Sequence, residues 1–164
     1  MPDASLTIRP ATVDDVPLIL SLIRGLAEYE RLAHECVASE ELLRASLFGT
    51  RADAEVVIAE VDGEGAGFAL FFHNYSTFLA RKGIYLEDLF VWPRFRGRGI
   101  GRALLVHLAR LTIEREGGRL EWSVLDWNEP AIRFYRSLGA TAMDEWTVMR
   151  VSGEELSRLA GSGG

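Results

Sequence analysis

The chain has 164 residues, 48% of them hydrophobic, and its 24 acidic side chains outnumber the 18 basic ones to leave a net charge of −6. That length and apolar content describe one domain, able to bury roughly 70% of its unfolded surface, and argue against disorder. The acidic balance argues against a nucleic-acid partner, which needs a basic face, and favours a cationic one. No apolar run is long enough to span a bilayer, so no membrane partner is expected. Cys36 is the single cysteine; it can form no internal disulfide, and the Cys/His spacing of a metal site is missing. The opening residues carry neither a basic n-region nor an apolar h-region, so no secretory signal is expected and a reducing cytoplasm is. Of the 18 basic residues only Lys82 is a lysine. With arginine this common, a local pair of arginines says little about phosphate.

In chain order, Leu6–Arg9 is a short strand ended by Pro10. Ile19, Leu22, Ile23 and Leu26 then lie on one face of a helix. Thr12 and Asp15 have capping-box spacing, while Pro17 is tolerated only in a first turn, so the regular helix should begin near Asp15. Ser39 is the expected N-cap of a second helix reaching Leu47. Glu55–Val61 and Gly65–Phe72 form a hairpin around Asp62-Gly63-Glu64-Gly65. Tyr85–Val91 is nearly continuously apolar, the mark of a central strand. A glycine-rich turn leads into a long helix with Ile100, Leu104, Leu108 and Leu111 on one face, ended by Gly117-Gly118. Leu120–Val124 is the next strand, and Asn128–Leu138 an amphipathic helix capped by Gly139. Met143–Val151 is expected to supply the last strand, and Ser152 with Glu155 a terminal helical turn. The fold class is α/β (α+β): a mixed sheet with helices packed on it, one domain over residues 1–160 and a disordered tail over 161–164.

The segment Arg96-Gly97-Arg98-Gly99-Ile100-Gly101 joins a strand to a helix N-terminus, where unpaired N–H groups and the positive end of the dipole suit an anion. Glycines let the backbone approach phosphate closely. The dinucleotide pattern fails because position 102 is Arg102, and the P-loop pattern fails because no Lys-Ser/Thr follows Gly101. What fits is Arg-x-x-Gly-x-Gly. A tight strand-to-helix connection with no ligand is the other reading of the same residues.

The strings on either side of that segment decide between them. Tyr85-Leu86-Glu87-Asp88-Leu89-Phe90-Val91, the glycine segment, and Trp127-Asn128-Glu129-Pro130-Ala131-Ile132-Arg133-Phe134-Tyr135 followed by Gly139-Ala140 together resemble the GNAT acetyltransferase superfamily. The likeness is greatest to its diamine branch, the spermidine/spermine and thialysine acetyltransferases, which Ile8–Thr12 and Leu26–Glu30 also match. The resemblance runs from about Leu6 to the terminal helix. It implies a mostly antiparallel central sheet, flanked by helices and splayed at the cofactor site, and a cytoplasmic homodimer. It implies acetyl-CoA as cosubstrate, held by Leu89, Phe90, Val91, Arg96, Gly97, Arg98, Gly99, Ile100, Gly101, Arg102, Asn128, Pro130 and Ala131. The amine would lie among Tyr29, Glu30, Glu87, Asp88 and Trp122, and no metal is implied.

The chemistry sets the roles to look for. An amine with a pKa near ~10.4 must lose a proton before attacking a thioester. Glu87 is the candidate base, since a carboxylate in a central strand is costly to bury without a role and burial would raise its pKa. A structural ion pair with an arginine is its other reading. Asp88 would face the opposite way if the strand is regular. A bulge near Phe90–Val91, as the superfamily has, would free N–H groups for the thioester carbonyl. Tyr135 is the candidate acid for the departing thiolate, or else one of a core face with Ala131, Phe134 and Leu138. Asn128 stands where a helix N-cap is also needed. His34, His73, His107 and Cys36 have no setting for metal or nucleophilic chemistry. The function expected is direct acetyl transfer to a small cationic amine such as a polyamine, thialysine or a similar amino acid. A protein or peptide N-acetyltransferase and an acyl-CoA-binding sensor are the alternatives. The loop Tyr75–Lys82 lacks the acidic and tryptophan residues of the polyamine-specific members.

Overall fold

A computed structural model describes residues 5–163. Five strands and five α-helices follow one another as β1 (Leu6–Pro10), α1 (Val16–Tyr29), α2 (Glu40–Phe48), β2 (Glu55–Val61), β3 (Glu64–Ser76), β4 (Arg81–Val91), α3 (Ile100–Glu114), β5 (Leu120–Trp122), α4 (Glu129–Ser137) and α5 (Gly153–Gly161). The strands form one sheet in sequence order, antiparallel from β1 to β4 and parallel between β4 and β5. The chain divides into two compact units after Leu125, and each is described by itself.

In the first unit the start of α1 follows its local chemistry. Asp15 accepts a hydrogen bond from the Thr12 backbone N–H at 2.7 Å, a single 3-10 turn spans Val13–Asp15, and Pro17 falls in the first turn of α1. Arg9 reaches from β1 to grip Asp15 at 2.8 and 2.9 Å and also pairs with Glu60 on β2. The neighbouring guanidinium holds the Asp15 carboxyl below its usual range. Ser39 caps α2 by accepting from the Leu42 N–H at 3.2 Å.

Helices α1 and α2 cover one face of the sheet, where Val16, Ile19, Leu22, Leu43 and Leu47 close on Val56, Ile58, Phe68 and Phe90. Phe71, Ile84 and Leu86 alternate onto the other face, against α3 with its buried Leu104, Leu105 and Leu108. Fully burying each such side chain stabilises by about 1.5–3 kcal/mol, so this double core dominates the energetics.

Several elements differ from the sequence expectation. Strands β3 and β4 run on past Phe72 and Tyr85 to form a longer hairpin arm. After the α3 C-cap at Arg115 the left-handed position is filled by Glu116, not a glycine, at φ 60°, and Gly117 and Gly118 follow where the chain passes close to Lys82. β5 stops at Trp122 rather than Val124.

In the second unit, α4 closes at Leu138 with Gly139 at φ 97°, as a C-cap glycine should be. The expected strand over 143–151 is not formed; those residues have no regular structure and begin no ladder. β-propensity is a preference for a pleated, half-buried surface, and without a paired edge Trp146, Val148 and Met149 stay exposed. The terminal turn is a full nine-residue helix that takes in Gly161; Gly164, the end of the expected tail, and residues 1–4 lie outside the described residues. No helix among the described residues is long and apolar enough to cross a membrane.

Candidate functional site

The site is built on the far half of β4. Strand β5 pairs with β4 only at Ile84, Tyr85 and Leu86, leaving residues 87–91 laddered to β3 alone. At the same point the β3–β4 register slips: Phe71 faces Leu86 and Leu70 faces Asp88, so Glu87 is an extra residue. The bulge therefore lies at Glu87, not near Phe90–Val91. Its effect is to invert the alternation beyond it.

That inversion decides which main-chain groups face the opening. The Trp92 N–H donates to Ala66 O at 2.9 Å, toward β3. Alternation then turns Leu89 and Val91 the other way, to the side β5 has left. The Val91 carbonyl is met there by the Arg96 Nε, which donates at 3.0 Å. Phe90 is turned back: its carbonyl oxygen closes on Gly67 and its ring is buried on the α1 side. Of Leu89, Phe90 and Val91, only the outer two present backbone to the opening.

The glycine segment continues from that edge. Gly99 is the N-cap of α3 with φ 77° and ψ 13°, a left-handed conformation that a side chain makes costly. The first intrahelical bond is Ala103 N–H to Gly99 O at 2.9 Å, leaving the amides of Ile100, Gly101 and Arg102 without acceptors in the helix ladder. A Cβ added at Gly101 would meet nothing within 4 Å. A concave run of donors with open space in front of it suits a pyrophosphate. Arg96 itself does not point into that space. Its guanidinium stacks on Tyr29 at 5.1 Å and Phe90 at 5.3 Å, tying the end of α1 to β4. Arg98 lies over Phe95 at 5.4 Å.

Beside the opening three carboxylates come within electrostatic reach. Asp88 is half-buried and its carboxyl is pushed up to about 6, first by burial and then by the negative charges of Glu87 and Glu30. Glu30, at the C-cap of α1, is also raised, by burial and by Glu87. Glu87 is exposed, contrary to the expectation of a buried base. The bulge explains this: the extra residue is extruded, and Asp88 takes the place toward the protein. Among the described residues no three acidic, His or Cys side chains converge as metal ligands.

A family model described as "Acetyltransferase (GNAT) family" matches residues 23–140, which hold β4, the glycine segment and α4. The chain belongs to the acetyltransferase (GNAT) family. This GNAT chain is 37% identical to the thialysine N-epsilon-acetyltransferase of Mus musculus, over 96% of its own length and 99% of that protein's. It is 34% identical to the L-ornithine N5-acetyltransferase of Arabidopsis thaliana, over 93% and 86%. Among solved structures, an integron cassette protein from the mobile metagenome of V. cholerae superposes with a TM-score of 0.79 at 29% identity, covering 96% of this chain and 99% of that one. The GNAT chain is thus an acyltransferase, with the mixed, splayed sheet its sequence resemblance implied.

The remaining residues with an expected role fall as follows. Trp122 pairs in register with Leu86, which puts it on the α3 face, opposite to Asp88; Tyr29 and Glu30 are on the Asp88 side. In the second unit Asn128 stands at the N-cap of α4, with Pro130 in the first turn, but its side chain makes no capping bond. Tyr135 is half-buried, and its ring lies 5.7 Å from that of Phe134. Glu121 and Asn74 escaped sequence reasoning because only the sheet register brings them to the acidic face.

Proposed function

We propose that this enzyme transfers an acetyl group from acetyl-CoA directly to a primary amine of a small cationic substrate: a polyamine, thialysine or a related amino acid. The observation that carries the reading is the open edge of β4, which leads from a carboxylate cluster, through a single 3-10 turn at Pro93–Phe95, to the glycine segment. A thioester laid along Leu89 and Val91 would have its pyrophosphate at residues 97–102 and its acyl end beside Glu87 and Asp88. Acetyl-CoA supplies the activated acyl group, and the chain's own residues bind, orient and move protons. Leu89 and Val91 N–H groups orient the pantetheine arm and polarise the carbonyl. Asp88 and Glu30 hold the ammonium. Glu87, exposed at the mouth, takes the amine proton, directly or through water. Tyr135 returns a proton to the departing sulfur, and Asn128, Pro130 and Ala131 complete the cofactor contacts.

The thialysine and ornithine relatives favour a small ω-amine over a protein substrate. We place the enzyme in the cytoplasm, in keeping with its lone free Cys36, and, from the resemblance to the diamine branch, as a homodimer. The test is acetyl-CoA turnover, followed by thiol release, on thialysine, ornithine, lysine, polyamines and short peptides. Turnover of the small amines with none on peptides is expected. Turnover confined to peptides would favour the protein N-acetyltransferase, and none on any acceptor, with acetyl-CoA still bound, the acyl-CoA sensor.

A further inference from the structure

The face of the sheet that carries Asp88 continues away from the opening as a row of side chains that acetyl transfer itself does not use. Phe72 and Tyr85 pair across β3 and β4, with ring centroids 5.3 Å apart at 34°. One strand further, Glu121 pairs with Tyr85. The Asn74 side-chain amide donates to Glu121 Oε1 at 3.2 Å, and the Tyr85 hydroxyl lies 2.7 Å from Ser123 Oγ. These contacts put Phe72, Asn74, Tyr85, Glu121 and Ser123 on one face. In an uninterrupted strand Tyr85 and Asp88, three residues apart, would be on opposite faces. The extra residue at Glu87 returns Asp88 to the side of Tyr85. Asp88 pairs with Leu70 and Tyr85 with Phe72, so Asp88 and the Tyr85–Glu121 step are separated by two residues of β3, about 7 Å of strand, with the aromatic pair beside the path.

We infer that Glu121, oriented by Asn74 beside the Phe72–Tyr85 ring pair, binds the far end of the amine substrate as the counter-charge to a second ammonium. The enzyme then selects for a diamine over an ω-amino acid of the same length. The inference rests on the proposed amine acetylation. Asn74 occupies one acceptor site of the carboxylate and leaves the others for a ligand. Aromatic faces beside a carboxylate suit an ammonium. The same carboxylate repels the α-carboxylate that an amino acid would bring to this end.

The test uses three acceptors that share one reactive amine and chain: n-butylamine, 1,4-diaminobutane and ornithine. The expected order of kcat/KM is diaminobutane, then ornithine, then butylamine. Glu121→Gln should raise KM for diaminobutane about tenfold while leaving kcat and the butylamine KM unchanged, the pattern of lost ground-state binding. The diaminobutane-to-ornithine ratio should narrow. Glu121→Asp, with the charge kept and drawn back, should fall between, and it carries the test if Glu121→Gln does not fold. A KM rise shared equally by butylamine, or none with diaminobutane, overturns the assignment. No turnover of any amine overturns the proposed acetylation and this inference with it.

Discussion

The two halves of β4 share a strand and differ in almost everything else. From Ile84 to Leu86 the strand is laddered on both sides, and Ile84 and Leu86 are 1% and 3% exposed. From Glu87 to Val91 it is laddered on one side only, begins with an extra residue, and carries two adjacent carboxylates. The closed half is a packing element, in which any change of volume is felt. The open half leaves main-chain N–H groups without sheet partners, an arrangement that persists where a ligand can use it. A single inserted residue at the junction separates the two.

The largest effect should come from outside β4. If the open half did all the chemistry, removing a proton from Tyr135 would change nothing. We expect Tyr135→Phe, which keeps the ring beside Phe134, to lower kcat by about 10²–10⁴-fold with a wild-type melting temperature. Wild-type turnover from pH 6 to 10 would leave Tyr135 a packing residue.

Next is a matched pair of glycine substitutions. Gly101 has open space before its missing Cβ, so Gly101→Val should fold normally and weaken CoA binding about 10–100-fold by calorimetry, through lost hydrogen bonds to charged phosphate. Gly83, next to the closed stretch of β4, is the reverse: a Cβ would lie 2.7 Å from Asn74 Oδ1 and 2.8 Å from the Arg119 carbonyl oxygen. Gly83→Ala should cost about 1–3 kcal/mol of stability while leaving CoA affinity intact. If both variants lose affinity and stability together, the halves are not separate.

How much of this was legible in the sequence follows the range of each interaction. Capping at Thr12–Asp15 and Ser39, the Asp62-Gly63 hairpin and the glycine turn into α3 depend on residues three or four apart, and each forms as the local sequence dictates. The bulge at Glu87 was misplaced because it is a property of register, set by packing across β3 and not by residues 85–91 alone. For the same reason Glu87 was expected to be buried and Asp88 to point away. The strand expected at 143–151 had the right residue types and no paired edge, something composition cannot register. Arg96, counted toward the phosphate, is held by Val91, Tyr29 and Phe90, three partners that only the tertiary fold assembles.

Within the open half, Glu87 and Asp88 can be told apart by pH. Activity should fall as the pH drops through about 6, where Asp88 gains a proton and no longer holds the ammonium. Because the Glu87 charge helps raise Asp88, Glu87→Gln should shift that acidic limb to lower pH, besides lowering kcat/KM at neutrality. Its activity should recover partly at high pH, where more amine is already neutral. An unmoved limb would mean that the two carboxylates do not interact.

The smallest effect is on stability, and it tests whether Asp88 is withdrawn from water as Glu87 is not. The folded state raises the Asp88 carboxyl from 3.8 to about 6, so folding disfavours its ionised form. Above pH 6 both folded and unfolded chains are ionised there and the full cost is present. As the pH falls through 6 the folded protein binds the proton first and the cost shrinks; below about 4 both states are protonated and it vanishes. Asp88→Asn removes the charge at little change in volume. It should therefore be more stable than the wild type at pH 8, by about 1–2 kcal/mol once partial solvent screening is allowed for. In urea unfolding the gain should narrow at pH 6 and be lost at pH 4. Glu87→Gln should gain less at pH 8, since Glu87 is exposed and relieves Asp88 only through its charge. Equal stability of Asp88→Asn and wild type at all three pH values would mean that Asp88 is as well solvated as its neighbour, and the bulge would then have no electrostatic consequence.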